Sequence, residues 1–232
     1  TPGSSSFYSL TFNGSGGGWT FQANATTTDN FTITAGAVTG PSSGHLAVAG
    51  SWANNGGTFT ANSSEVKFNA TATGKTLSSS GGGNLIFYDA DFNSSSGGWT
   101  VQNNATSTNN WKLTAGSFTL NIDIHLEVDG QFTNATGGSS TTWSSGAVLF
   151  LNSGTNYTIN TKTTGSDIYS TFEIGPNTDI RRWNSSATSY SISSSGSLYS
   201  MDHSASDGVL VVRGDYHVPS SSTDYWNYAT DF

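Results

Sequence analysis

Hydrophobic and polar residues alternate along short stretches of this chain. Leu10 and Phe12 share one parity, as do Phe31 and Ile33 further on. A period of two, rich in β-branched and aromatic residues, is typical of half-buried strands. Clusters of Gly, Ser and Asn, such as residues 13–18, separate the stretches and favour turns. Because the apolar residues also form no helical stripe, the pattern predicts an all-β protein.

The pattern recurs further along the chain. Residues 7–36 and 87–116 are identical at 18 of 30 positions without a gap. A third copy is divergent and can be traced through scattered matches only. An internal repeat of this kind indicates similar units that stack and bury one continuous core. We interpret the chain as a single elongated repeat domain, 1–232, with copies at about 7–86, 87–166 and 167–232.

A finer spacing lies inside each copy. Leu46 recurs as Val66, and Phe12 recurs as Ile33. Such steps predict a parallel β-solenoid, in which coils of about 20 residues stack on one another and four coils make one copy. The alternative is a tandem of β-sandwiches of about 80 residues each. The solenoid is favoured because no proline-bearing linker marks a boundary between copies.

Composition narrows the functional classes. Only 9% of the residues are charged, against about 25% in an ordinary soluble domain. The net charge of −8, with no basic cluster beyond Arg181 and Arg182, argues against a nucleic-acid partner. No apolar run approaches the roughly 18 residues of a membrane-spanning helix, and there is no cysteine for disulfides or thiolate metal sites. An acidic, polar, lysine-poor chain of this kind is typical of an extracellular or cell-surface protein.

The amino-acid sequences of the copies are similar to known repeat arrays. NFTITAG at 30–36, SFYSLTFNGSGGGWT at 6–20 and the stretch 45–77 resemble the repeat arrays of giant bacterial surface proteins. Such adhesin-like arrays occur in candidate-phyla bacteria and in filamentous adhesins. The resemblance extends over residues 1 to about 160. It implies a β-solenoid stalk at the cell surface, and it brings no catalytic residue and no cofactor.

The strongest candidate for a chemical site is the segment 122–129, in which apolar residues alternate with acidic residues and a histidine. On one strand, Asp123, His125, Glu127 and Asp129 would project from the same face, with neighbours about 7 Å apart. Carboxylates and imidazole can bind a divalent metal. The matching strand of the first copy, however, carries alanine in place of two of the acids. We therefore interpret the run as a solvated face and predict no metal site.

Two other acidic groups have the composition of a catalytic site. Asp89 and Asp91 have the spacing of a glycosidase pair, but they replace Ser and Thr of the first copy and lack an apolar pocket nearby. Asp202, His203 and Asp207 cluster in a Ser-rich segment. No nucleophile-elbow motif is present. We therefore predict no catalytic residue and no enzyme activity.

Aromatic residues recur at fixed positions of the copies. Trp19 corresponds to Trp99, and Trp52 corresponds to Phe132. Each shares parity with apolar neighbours, which predicts that these rings lie in the core. The alternative is an exposed row of rings that stacks on sugars.

Asn-x-Ser/Thr motifs are abundant. Asn24, Asn104 and Asn184 hold the same repeat position, and on the solvent face they would be N-glycosylation sites in an organism that makes this modification. A chain rich in Asn, Ser and Thr also produces such motifs by chance. The full set comprises Asn13, Asn24, Asn30, Asn62, Asn69, Asn93, Asn104, Asn134, Asn156 and Asn184.

Together, these observations predict a non-enzymatic structural or adhesive segment of a cell-surface or extracellular fibrous repeat protein. Its expected partners are further copies of itself or neighbouring repeats of a longer chain, and secondly surface glycans. No cofactor is expected. The alternative function is a carbohydrate-binding or carbohydrate-cleaving β-helix, which would need aromatic rings and at least two acids in one groove.

Overall fold

The computed structural model describes residues 6–80, 83–136, 140–152 and 170 with their side chains. Further along the chain, the backbone of short strands between residues 157 and 231 is described. All regular elements in these regions are strands, which confirms the all-β prediction. These residues contain no helix of the length and apolarity needed to cross a bilayer.

The strands are short, and most contain three to five residues. In chain order they are β1 (Leu10–Thr20), β2 (Ala25–Thr27), β3 (Phe31–Thr39), β4 (His45–Val48), β5 (Trp52–Asn54), β6 (Thr58–Thr60), β7 (Glu65–Phe68), β8 (Lys75–Ser79), β9 (Leu85–Phe87), β10 (Asp89–Val101), β11 (Ala105–Ser107), β12 (Trp111–Leu120), β13 (His125–Val128), β14 (Phe132–Asn134), β15 (Thr141–Trp143), β16 (Val148–Leu151), β17 (Tyr157–Ile159), β18 (Thr171–Ile174), β19 (Ile180–Arg182), β20 (Val209–Val212) and β21 (Thr230–Asp231).

Strands that are neighbours in space come from successive coils and run parallel. Phe12 of β1 pairs with Ile33 of β3, one coil later, as the spacing predicts. Leu46 of β4 pairs with Val66 of β7, again in the following coil. Every strand pair among the described residues is parallel. The solenoid prediction is confirmed, and the alternative of tandem antiparallel sandwiches is wrong.

Each coil contributes one segment to each of three faces of the column. Face 1 includes β5, β8 and β15; face 2 includes β6, β9, β11, β13 and β16; face 3 includes β2, β4, β7 and β14. The long strands β1, β3, β10 and β12 bend at a corner and belong to two faces each. About seven coils stack in this way.

One copy of the repeat is not a whole number of coils, which corrects the prediction of four coils per copy. Strands β1 to β9 supply eleven segments, because β1 and β3 supply two each. With three segments per coil, a copy is three and two-thirds coils long, and the second copy begins one face away from the first. The pairing agrees, because Phe12 lies on face 1 whereas its copy Phe92 pairs with Phe68 on face 3.

The inward side chains form one continuous core along the column. The rings of Phe31 and Trp52, from successive coils, stack with centroids 4.4 Å apart and 10° between their planes. Phe68 and Phe92 do the same across the junction between copies, at 4.6 Å and 15°. Since a large aromatic side chain contributes more buried apolar area than any other, these stacks account for much of the packing in such narrow coils.

Each copy contains the same corner. Residues 13–18 bulge opposite Gly36, and residues 93–98 bulge opposite Gly116. The two glycines have φ of 88° and 99°, a left-handed conformation that other residues seldom adopt. A Cβ on Gly36 would lie 2.6 Å from Cζ3 of Trp19. Glycine is therefore required beneath the indole, which accounts for part of the strong likeness between the two copies.

Cysteine pairs test the register at the junction of the copies. Thr76 and Thr100 are paired neighbours on face 1, where adjacent parallel strands lie about 4.8 Å apart, within disulfide reach. Since the chain has no cysteine of its own, Thr76→Cys with Thr100→Cys should cross-link on mild oxidation, detected by mass spectrometry. The control, Thr76→Cys with Thr119→Cys, spans two coils and should remain reduced. Equal cross-linking of both pairs would contradict this register.

Candidate functional site

The acidic run does not lie on one strand face. His125 and Glu127 belong to β13 and project outward, but Asp123 lies in the preceding turn and Asp129 follows the strand. Asp123 has a φ of 55°, in the left-handed region. The prediction that four side chains share one strand face is wrong, because the turn redirects the chain immediately before β13 begins.

Both outward side chains of β13 contact the next coil. Oε1 of Glu127 accepts a hydrogen bond of 2.8 Å from Nδ2 of Asn152. The ring of His125 lies 5.8 Å from that of Phe150, with 28° between their planes. Nε2 of His125 and Oδ1 of Asp129 are buried without a hydrogen-bond partner in the described part of the chain. No group of three or more His, Asp or Glu residues among those described is arranged to hold a metal ion.

Asp129 is less favourably ionised in the folded chain than in water. Burial raises the pKa of Asp129 above its ordinary value of 3.8, and the negative charge of Glu127 raises it further. Protonated Asp129 is therefore favoured by folding. Its contribution to stability is present below pH 3.8 and is lost as the pH rises through the folded-state pKa.

The second acidic pair is held by neighbouring polar groups. Oδ1 of Asp89 accepts hydrogen bonds from Nδ2 of Asn109, at 2.9 Å, and from the backbone N–H of Asn110, at 2.8 Å. Asp91 is buried and accepts hydrogen bonds from the Thr114 hydroxyl and the Asn93 amide. Each carboxylate thus joins its own coil to the next, which is a structural task.

Neighbouring coils place opposite charges side by side on face 3. Asp91 pairs in register with Lys67 on one side and with Lys112 on the other. Glu65 lies 3.2 Å from Nζ of Lys67 and 3.7 Å from Nζ of Lys112. Because the lysine side chains are 39% exposed, each ion pair contributes at most about 1 kcal/mol. This row of alternating charges was not predicted from the sequence, although the coil spacing would have indicated it.

The recurrent aromatic residues are mostly interior. Trp52, Trp99 and Phe132 are buried, which confirms the prediction that they belong to the core. Trp19 is half-buried and packs against the same core from the first coil. Trp111 is also fully buried. None of these five rings forms the exposed row that stacking on sugars would require.

Asn24 and Asn104 perform the same structural task in the two copies. Oδ1 of Asn24 accepts a hydrogen bond of 2.9 Å from the backbone N–H of His45, and Oδ1 of Asn104 does the same for His125. Both asparagines lie at the surface. Each one holds the first residue of a strand in the following coil. N-glycosylation modifies Nδ2, which is not the atom that makes this bond, so glycosylation stays a prediction for both positions.

Other predicted positions differ in accessibility. Asn134 is completely buried, which is incompatible with a glycan in the folded chain. Nδ2 of Asn62 donates to the backbone oxygen of Gly40 at 2.8 Å. Lying outside the described residues are Asn156, Asn184, Asp202, His203 and Asp207.

Comparison with known proteins returned no relatives. A scan against models of protein families, a search of curated proteins and a search of solved structures each gave no match.

Removing the inter-coil bond at Asn104 should weaken the fold slightly. Asn104→Ala loses the bond to His125, and we expect the free energy of unfolding to fall by about 1 kcal/mol in urea titrations. Thr106→Val removes the glycosylation motif but keeps the bond, so it is the matched control. Equal stability of Asn104→Ala and the wild type would show that this bond contributes nothing.

Neutralising Asp129 should stabilise the chain at neutral pH. Asp129→Asn removes the charge that burial and Glu127 disfavour, so its Tm should exceed that of the wild type at pH 7. The difference should shrink as the pH falls towards 3.8, where wild-type Asp129 is itself protonated. A Tm difference that is independent of pH in scanning calorimetry would contradict the raised pKa.

Proposed function

We propose that this chain is a non-enzymatic structural or adhesive segment of a cell-surface or extracellular fibrous repeat protein. In this function, the chain supplies length and stiffness rather than a reaction centre. Neighbouring copies of the repeat are its principal partners.

The observation that carries the proposal is the continuity of the core. One cluster of buried side chains extends from Phe12 in the first coil to Leu151 in the seventh. Each coil is supported mainly by the coils on either side of it, as in other solenoid repeats. A chain of this kind can be lengthened copy by copy without a new core, which suits a stalk.

The outward polar side chains also support a structural function. Asn24, Asn104 and Glu127 each form a hydrogen bond with the adjacent coil. Asp89 and Asp91 are similarly engaged. These five candidate residues therefore connect coils to one another in the described part of the chain.

The proposed location rests on composition. Few charged residues and many hydroxyl and amide side chains fit a surface exposed outside the cell. Resemblance to adhesin-like repeat arrays points in the same direction. The interior position of Trp52, Trp99 and Trp111 gives no support to the carbohydrate-binding alternative.

Immunogold electron microscopy tests the location. Antibodies raised against the chain should label intact cells of the source organism outside the envelope, and prior absorption with the purified chain should abolish the label. Label that requires permeabilised cells would overturn the proposed extracellular function.

A polysaccharide depletion assay distinguishes the structural proposal from the carbohydrate-binding alternative. We expect the chain to remain in solution when insoluble polysaccharides are pelleted. Specific retention by the wild type that is lost in Asp123→Asn would replace the structural proposal by the carbohydrate-binding one. Asp123 is the appropriate position because it lies in a surface turn, whereas Trp111 is part of the core.

A further inference from the structure

The first strand of the column has one free edge. β1 pairs with β3 on one side, and no strand in the described residues pairs with its other side. Leu10 and Phe21 donate their backbone N–H groups to the second coil. Since N–H groups alternate in direction along a strand, those of Thr11 and Thr20 point to the free edge. Unpaired edges of this kind are templates for another strand.

The repeat itself indicates what covers such an edge. β10 is the copy of β1 in the second repeat, and it is paired on both sides. Besides β12, it contacts β7 along Asp89–Phe92 and β8 along Trp99–Val101. The two strands therefore share one sequence pattern but differ in pairing. β1 has a free edge, and in β10 the same edge is covered by β7 and β8.

Apolar residues of the first coil are more exposed than their copies in the second repeat. Leu10, Trp19 and Phe21 are only partly buried. Their copies are Ala90, Trp99 and Val101, which are 0%, 2% and 0% exposed. The apolar positions of β1 that remain open are thus the ones that β7 and β8 close over β10.

The ring of Phe12 also lacks the partner that its copy has. Phe92 stacks on Phe68 of the preceding coil, with ring centroids 4.6 Å apart. Phe12 contacts the rings of Trp19, Phe21 and Phe31, which belong to its own coil and the following one. A phenylalanine supplied at the position of Phe68 would complete the stack.

Phe7, which precedes β1, pairs with the first coil as its copy Phe87 pairs with a later coil. The backbone N–H of Phe7 donates to Thr26 at 2.8 Å, and the oxygen of Phe7 accepts from Thr28 at 2.8 Å. Its copy Phe87 accepts from Thr108 in the same way, at 2.9 Å. Phe7 therefore contacts β2 of the first coil as Phe87, in the fourth coil, contacts β11 of the fifth.

We propose that the free edge of β1 is a docking site for a second copy of the coil 61–86 of this repeat. The incoming coil lies parallel to β1, in the register that β7 and β8 adopt on β10. Its Lys67 would face Thr11 rather than an aspartate, so no ion pair forms at this position. Apolar packing and backbone hydrogen bonds hold the incoming coil. The inference rests on the proposed structural function, because it identifies the joint through which one copy supports the next.

The test is a chain in which residues 1–6 are replaced by a second copy of residues 61–86, joined directly to Phe7. Residue-resolved hydrogen exchange should slow roughly tenfold or more at Thr11 and Thr20, because their N–H groups become bonded. Their rates should approach those of the copies Asp91 and Thr100. The matched control carries Val66→Asp and Phe68→Asp in the added copy only, and should exchange at the rate of the original chain.

Unchanged exchange at Thr11 and Thr20, with β3 still protected, would overturn the docking proposal, whether or not the added segment folds. Equal slowing in the extended chain and its control would overturn it too, since the apolar contact would then be irrelevant. This outcome is separate from the proposed function. Immunogold labelling tests the cellular location, and hydrogen exchange tests whether a second coil pairs with β1.

Discussion

Parallel stacking in register is the constraint on which the structure depends. Each inward side chain lies on an inward side chain of the next coil, as Phe31 does on Trp52 and Phe68 does on Phe92. The backbone hydrogen bonds between coils persist only while successive coils have matching lengths. Additional residues must therefore leave the column as bulges, and residues 13–18 do so opposite Gly36. Packing and turn chemistry both follow from this requirement.

The two copies keep the same corner while their neighbours change. Because a copy is three and two-thirds coils long, Phe31 lies on face 1, whereas its copy Trp111 lies on face 3. The local contacts of the corner are retained, since Trp99 lies over Gly116 as Trp19 lies over Gly36. This explains why the segment around each corner is so alike, whereas the segments that meet the junction are less constrained.

Much of the fold could be predicted from the sequence, because period-two alternation and the regular spacing of coils are local signals. The pairing of Leu46 with Val66 follows directly from them. The change of face could not be predicted, since it depends on how residues between Phe68 and Asp89 divide into segments. The candidate sites were predicted less well. The turn before β13 depends on a left-handed Asp123, and the bond from Asn104 to His125 joins different coils. The equal spacing of this pair and of Asn24 with His45 was the available signal.

Distances between spin labels on face 1 test the single column most directly. Thr11, Thr32, Thr119 and Thr142 are outward residues of that face in the first, second, sixth and seventh coils. With about 4.8 Å per coil, backbone separations of about 19 Å for Thr32 with Thr119, about 24 Å for Thr32 with Thr142 and about 29 Å for Thr11 with Thr142 are predicted. Electron–electron double resonance should reproduce these increments. Separations that do not increase by one strand spacing per coil would contradict the column.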